Sequence, residues 1–159
     1  MITSPLAQPS TLRAVQRRIL HHYVLTPRRR TQSYDGYDEG TPPAAAEAAG
    51  TAMRTWSLDP DLPDRAASLA YHLTAYAMRT AASHRYVLTA SLGEAHAAIS
   101  VQALRGRLVA RPAPGDQAAI STLADRAVHL TLPAGLTLLA VITLPTPGPL
   151  QHPQLSAAG

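Results

Sequence analysis

The sequence contains no cysteine. This absence excludes a disulfide framework, a thiolate zinc site and a cysteine nucleophile. Phenylalanine is also absent, and aromatic residues make up only 4% of the 159 residues. Alanine and the smaller aliphatic residues must therefore fill the interior, with Trp56 and six tyrosines as the only large rings.

Long apolar segments are missing as well. No run approaches the roughly 18 consecutive apolar residues that a membrane-spanning helix needs. The first residues, 1–5, do not begin a charged segment followed by an apolar stretch, as a secretion signal would. We therefore expect a soluble, cytoplasmic protein that has no membrane partner and is built around one domain.

The basic residues are all arginine, and they are unevenly distributed. The formal net charge is +4. The arginines before residue 31 are Arg13, Arg17, Arg18, Arg28, Arg29 and Arg30. The others are scattered among acidic residues, whereas a nucleic-acid surface gains its affinity from clustered charge. The pattern indicates a basic arm that faces solvent or a partner protein, and it makes nucleic-acid binding an unfavoured alternative.

An amphipathic helix is predicted to begin near Ser10 and to end before Pro27. Its apolar positions follow helical spacing, and arginines lie opposite. A polar, Gly/Pro-rich stretch, residues 27–43, then predicts a linker with a short strand around residues 32–34. We assign residues 1–40 to this helix and linker. The candidate partner-binding residues are Leu12, Arg13, Val15, Arg17 and Ile19. The alternative for this segment is packing on its own domain or on a dimer mate.

Helical and strand periods alternate over the remaining chain. Helices are predicted over residues 43–56, 61–82 and 117–128, a hairpin over residues 85–91 and 97–103, and an inner strand over residues 136–144. This order predicts an α+β two-layer sandwich, with helices on one face of a mixed or antiparallel sheet. The domain spans residues 41–145, and the Pro-rich tail, 146–159, is expected to be disordered.

Three segments, in this order, carry a more specific signal. Thr55-Trp56-Ser57-Leu58, followed by residues 59–64, is similar to the motif AWGL…L.DD. Residues 69–82, LAYHLTAYAMRTAA, are similar to a helix written VVSELVTNAVRHA, and residues 120–145 to a closing LVDALADRWGV…GGKTVWAELP segment. Together they resemble the actinobacterial anti-sigma-factor serine kinases, small relatives of the histidine-kinase ATPase domains with the Bergerat fold.

The resemblance implies an ATP site whose chemical groups have changed. In the family, a glutamate on the long helix orients the attacking water or hydroxyl, and an asparagine four residues later holds Mg²⁺. Those positions fall on His72 and Tyr76. An imidazole does not replace the carboxylate without a different geometry, and a phenol is a poor, bulky Mg²⁺ ligand. The two side chains either fill the vacated pocket, lie at a surface or form a remodelled ligand site.

Two further elements of the family's site are also altered. The aspartate that accepts the adenine amino group is missing from the end of the predicted strand that contains Gln102. The phosphate-facing G-x-G-L turn corresponds to residues 115–118. Gly115 remains there, but Gln117 replaces the second glycine, and Asp116 places a negative charge where phosphates should lie. The former nucleotide pocket would therefore contain His72, Tyr76, Gln102, Gly115, Asp116 and Gln117.

The leading interpretation is a non-catalytic relative of these kinases, a pseudokinase that needs no cofactor and has no metal site. It would act by protein contact in transcriptional or developmental signalling. The resemblance implies a sigma factor or a STAS-type antagonist as partner, and a homodimer as a further assembly. The alternative is an active ATP-dependent serine kinase in which Asp116 or Glu94 binds Mg²⁺. Direct DNA binding through the arginine-rich arm is a third class.

Overall fold

A computed structural model describes residues 28–111 and 114–145. Within these ranges the chain forms three helices and seven strands. The helices are α1 (Thr41–Trp56), α2 (Leu62–Thr80) and α3 (Pro114–Leu123). The strands are β1 (Arg28–Asp35), β2 (Ala81–Ala82), β3 (Arg85–Leu92), β4 (His96–Leu104), β5 (Arg107–Leu108), β6 (Arg126–Leu132) and β7 (Gly135–Thr143).

Five of the strands form one antiparallel sheet in the order β1-β3-β4-β7-β6. The short strands β2 and β5 pair separately. The three helices pack on one face of the large sheet, and α1 packs along α2. The molecule is therefore an α+β two-layer sandwich, as the sequence predicts.

The core lies between the helices and the sheet, and alanine supplies much of it. On α1, Ala45, Ala49 and Ala52 are buried at helical spacing and form one face of the helix. Their small side chains let α1 lie close to α2. Alternate residues of the strands complete this core, among them Ile99 and Leu138. Side chains between these positions, such as Gln102, point to the opposite face of the sheet.

The predicted linker contains a strand of the sheet. Residues 28–35 pair with β3 along their whole length, so the strand expected around residues 32–34 is present and longer. The sheet consequently begins before residue 40. Arg28 also joins β1 to α1, because its Nη1 donates to the carbonyl oxygen of Trp56 at 2.7 Å. The predicted helix before Pro27 and the predicted tail lie outside the described residues.

The helix predicted over residues 117–128 is wrong at its C-terminal end. The structure ends α3 at Leu123, and residues from Arg126 onward pair with β7. Asp125 fixes this change of direction. Its backbone N–H donates to the carbonyl oxygen of Val141, and its carboxylate accepts the backbone N–H of Thr143 at 2.6 Å. These bonds attach the end of α3 to β7, so the chain cannot continue as a helix.

Candidate functional site

Tyr76 lies on the buried side of α2, near its C-terminal end. The residue has 0% of its surface exposed, although it carries a hydroxyl that must find a partner when it is buried. That partner is His129 on β6, whose Nδ1 lies 3.0 Å from the phenol oxygen. The two rings meet edge to face, with their centroids 5.7 Å apart and an interplanar angle of 89°.

The environment of His129 favours its neutral form. Burial lowers the pKa of this imidazole from its ordinary value, because desolvation penalises the charged ring. A neutral ring has one donor and one acceptor nitrogen. With the proton on Nε2, Nδ1 accepts the phenol proton of Tyr76, and Nε2 donates to the hydroxyl of Thr131, 3.3 Å away. This tautomer satisfies both contacts.

The N-terminal turn of α3 completes the cluster. Asp116 is only 9% exposed, and its Oδ1 accepts a hydrogen bond from Nη2 of Arg79 at 2.5 Å. Gln117 follows Asp116 in the same turn of α3. Burial raises the pKa of the Tyr76 phenol, and the negative charge of Asp116 adds to that increase, whereas the nearby side chain of Gln117 opposes it. The phenol therefore stays protonated at neutral pH.

We define the Tyr76 cluster as Tyr76, Arg79, Asp116, Gln117 and His129. It joins α2, α3 and β6, and its polar side chains engage one another. The carboxylate is committed to a guanidinium, and the imidazole to a phenol. Neither group is oriented as a general base toward an open substrate site. The arrangement is suited to holding three elements together.

The structure brings together three of the predicted pocket residues, Tyr76, Asp116 and Gln117. His72 lies one turn before Tyr76 on α2, as predicted, but it is half-exposed, and its ring lies edge to face against Tyr71, 5.5 Å between centroids. Gly115 is exposed in the first turn of α3, and a Cβ there would meet no atom within 4 Å. A close backbone approach therefore does not require this glycine.

Gln102 does not belong to the cluster. Its neighbours Val101 and Ala103 face the helices, so its own side chain lies on the opposite face of the sheet. The assignment of Gln102 to the former nucleotide pocket is therefore wrong, because it ignored the two-residue period of β4. The five arm residues proposed to bind a partner, Leu12, Arg13, Val15, Arg17 and Ile19, lie outside the described residues.

His129 was missed by the sequence analysis, although it is the partner of Tyr76. The predicted helix ends at residue 128 and the next predicted strand begins at residue 136, so His129 falls between the predicted elements. The signal that could have found it is the alternation of residues 126–132, RAVHLTL, which suits an edge strand better than a helix. Register with β7 then places His129 opposite Leu138, beside the helix-facing core.

Metal-binding side chains do not converge in the described part of the chain. Across residues 28–111 and 114–145, no group of three or more His, Asp or Glu side chains could hold a metal ion. Glu94 lies exposed in the turn between β3 and β4, whereas Asp116 lies in the first turn of α3 and is bound to Arg79. The two carboxylates proposed as alternative Mg²⁺ ligands thus belong to different elements.

The fold class is an α+β two-layer sandwich with an antiparallel sheet and a polar cluster beneath its helices. No protein-family model matches the chain, and a search of curated proteins found no match either. None of the helices within the described ranges is long and apolar enough to cross a membrane.

Proposed function

We propose that this protein is a non-catalytic regulator that acts by protein contact, with a nucleotide pocket that its own side chains have filled. The proposal joins two lines of support. One is the resemblance of three segments to the anti-sigma-factor serine kinases. The other is the Tyr76 cluster, which contains the residues that the resemblance assigns to the Mg²⁺ ligand and the phosphate-facing turn.

The observation that carries the proposal is the complete burial of Tyr76 against His129. In the family, the residue at this position reaches a magnesium ion on the triphosphate. Here the phenol is bound within the chain and its pKa is raised, so it remains an uncharged, protonated group. Hard divalent cations bind carboxylate, carbonyl, amide and water oxygens, and a protonated phenol already hydrogen-bonded to His129 is a poor substitute for the family's asparagine.

The start of α3 gives a second, electrostatic reason. The N-terminus of a helix attracts anions such as phosphate. Here the first turn carries its own carboxylate, Asp116, and Arg79 neutralises it. A triphosphate would have to displace Asp116 from Arg79 and then lie beside a carboxylate, which disfavours nucleotide binding.

A thermal-shift measurement with Mg-ATP and Mg-ADP tests directly whether the filled pocket has lost nucleotide binding. A site with a Kd of about 50 μM would stabilise the protein by about 2.7 kcal/mol at about 5 mM nucleotide. For a chain of this size, that energy corresponds to roughly a 5–10 °C rise in Tm. We expect a change below about 1 °C. A rise of several degrees would contradict the proposal and favour the active kinase with an atypical site.

Binding to proteins is the positive arm of the test. Purified sigma factors and STAS-domain proteins would be immobilised, and the full chain passed over them with and without Mg-ATP. We expect binding to at least one of these classes, at an affinity that nucleotide does not change. If neither class binds, but random duplex DNA binds with a steep salt dependence, the nucleic-acid alternative replaces the proposal.

A further inference from the structure

The sheet has a second face that no described helix covers. We call it the outer face, and it consists of the side chains that alternate with the helix-facing core. Across three central strands, Ser91 lies opposite Ala98, which lies opposite Val141. In the next row, Ser100 lies opposite Leu139. Ala98, Leu139 and Val141 form an apolar cluster that contains no residue of α1, α2 or α3.

The outer face is nevertheless buried. Ser91, Ala98, Leu139 and Val141 are only 2–3% exposed, and Ser100 is 8% exposed. These values hold in the single chain, so the covering atoms belong to this chain. In its own row, Leu139 lies between Ser100 and Val128, and these side chains are too small to exclude water from it by themselves.

The sequence of β7 supports the same conclusion. Its burial is continuous from Gly135 to Ile142 instead of alternating. An antiparallel sheet with one face in water shows alternation, whereas continuous burial and a continuous apolar sequence are typical of a strand covered on both faces. The run LTLLAVI thus indicates a second cover over the sheet.

Two terminal segments lie outside the described residues, 1–27 and 146–159. The second contains three prolines, which oppose a continuous helix, so the first is the candidate cover for this face. The chain enters the sheet at Arg28, at the edge, and Arg28 lies opposite Leu92 at the end of β3 nearest to Ser91 and Ala98. Residues 1–27 precede it. Their amphipathic part, residues 10–23, carries the apolar stripe Leu12, Val15 and Ile19.

The dimensions agree. A helix of 14 residues would be about 21 Å long. The sheet is five strands wide, so the distance from β1 to β6 is four strand spacings, or about 19 Å. One amphipathic helix over residues 10–23 that ends near the β1 edge, shortly before Arg28, can therefore cross the whole outer face.

We propose that residues 10–23 dock on the outer face of the same chain, with Leu12, Val15 and Ile19 against Ala98, Leu139 and Val141. The docked segment makes the two-layer sandwich a three-layer one. Arg13 and Arg17, on the opposite side of the helix, remain directed outward and available to a partner. The inference does not depend on the proposed function, because it concerns the other face of the sheet.

The lack of native cysteine allows a direct test by thiol labelling of the full chain. Ser100→Cys is nearly isosteric and places a thiol on the outer face, while Glu94→Cys gives an exposed reference. We expect Ser100→Cys to react at least about tenfold more slowly than Glu94→Cys, as a protected position must. Adding Val15→Asp and Ile19→Asp should raise the Ser100→Cys rate by about tenfold or more.

A matched control separates docking from loss of helix. Ala14→Asp and His21→Asp add the same charge on the opposite side of the predicted helix, and they should leave the Ser100→Cys rate unchanged. Ala97→Cys, on the helix-facing side of β4, reports global unfolding. It should stay slow in every background. Acceleration of Ala97→Cys by Val15→Asp and Ile19→Asp would mean that these substitutions unfold the domain, and the decision would then rest on cross-linking.

Cross-linking gives a second readout that needs no destabilising substitution. Oxidation of Val15→Cys combined with Ser100→Cys should give a monomer with an internal disulfide. A covalent dimer, or protection that grows between about 1 and 100 μM protein, would assign the cover to a second copy and overturn the proposal. Rapid labelling of Ser100→Cys in the full chain, or failure to form the disulfide, would also overturn it.

Discussion

The phenol oxygen of Tyr76 connects α2 to β6 through His129, 3.0 Å away. Tyr76→Phe keeps the ring and its packing but leaves the buried imidazole without its donor. Because an unsatisfied buried polar group costs more than its bond contributes, we expect a loss of about 1–2 kcal/mol in unfolding free energy, measured by urea denaturation.

The control for this prediction is Tyr71→Phe, on the same helix. Tyr71 is exposed, so its hydroxyl is hydrated and the substitution should change stability by less than about 0.5 kcal/mol. If Tyr76→Phe were as stable as the unsubstituted chain, the hydrogen bond between Tyr76 and His129 would not stabilise the fold.

Two buried threonines of α2 differ in whether the side-chain hydroxyl has a hydrogen-bond partner. Thr74 and Thr80 are both buried, but among the described residues the Thr74 hydroxyl has no hydrogen-bond partner, whereas that of Thr80 donates to the carbonyl oxygen of Tyr76. Valine replaces a hydroxyl by a methyl of similar shape. We expect Thr74→Val to leave stability unchanged or raise it by up to about 1 kcal/mol, and Thr80→Val to lower it by about 1 kcal/mol.

Thermal or urea unfolding of the two variants decides this prediction. Both variants make the same threonine-to-valine change on one helix. The sign of the difference between their unfolding free energies is therefore more informative than either value alone. Equal destabilisation by the two valines would show that the Thr74 hydroxyl has a partner.

At the scale of elements, the β6–β7 hairpin depends on one glycine. Gly135 has φ +128°, and a Cβ at this position would lie 2.0 Å from the carbonyl oxygen of Ala103 on β4. Backbone cannot move aside cheaply, so both the steric contact and the backbone angle oppose a side chain. We expect Gly135→Ala to lower the unfolding free energy by about 3 kcal/mol or more, measured by chemical denaturation.

Gly115→Ala is the control, because it lies in the first turn of α3 with open space around its Cβ position. Alanine favours a helix over glycine, so this variant should be neutral or stabilised by up to about 1 kcal/mol. A similar loss at the two glycines would contradict the distinction between a required backbone angle and an ordinary helical one.

Comparison of elements also shows what the sequence could predict. The helices α1 and α2 and the β3–β4 hairpin are long, strongly periodic segments, and the sequence predicts them with errors of a few residues at their ends. The end of α3 could not be predicted in this way. Asp125 ends it through bonds to β7, which are contacts distant in sequence. Local periodicity does not contain that information.

The candidate site divides in the same way. Tyr76 and His72 share a helix, so their one-turn spacing follows from the sequence alone. The pairing of Tyr76 with His129 requires the register of β6, and the position of Gln102 requires the correct face of β4. The ion pair between Arg79 and Asp116 depends on the packing of α2 against α3, which local sequence patterns do not predict.

At the scale of the whole molecule, both faces of the sheet are buried, and the arginines of β1 lie at one edge of that sheet. The helix-facing core is large and alanine-rich, and the outer face is smaller but equally dry. The arginines of β1, Arg28, Arg29 and Arg30, lie exposed at the sheet edge that continues into the predicted arm. Charged side chains on an edge strand discourage edge-to-edge aggregation.

The stability of the whole chain should depend on pH through His129. Because burial lowers the pKa of this imidazole below its ordinary value of 6.5, the unfolded chain binds the proton more readily than the folded chain. The contribution of His129 to stability is therefore complete above 6.5 and is lost as the pH falls below that value toward the folded-state pKa. Protonation would also remove the acceptor that Nδ1 offers to Tyr76.

We expect the unfolding free energy to fall between about pH 7.5 and pH 5.5, with a slope from this group of at most about 1.4 kcal/mol per pH unit. His129→Asn keeps an acceptor close to the Nδ1 position but does not titrate. Asp116 and Arg79, the charged pair beside Tyr76, are present in both proteins and cancel in the comparison. Denaturation curves across this range should therefore be flatter for His129→Asn, and parallel pH profiles would mean that the imidazole of His129 is hydrated in the folded protein.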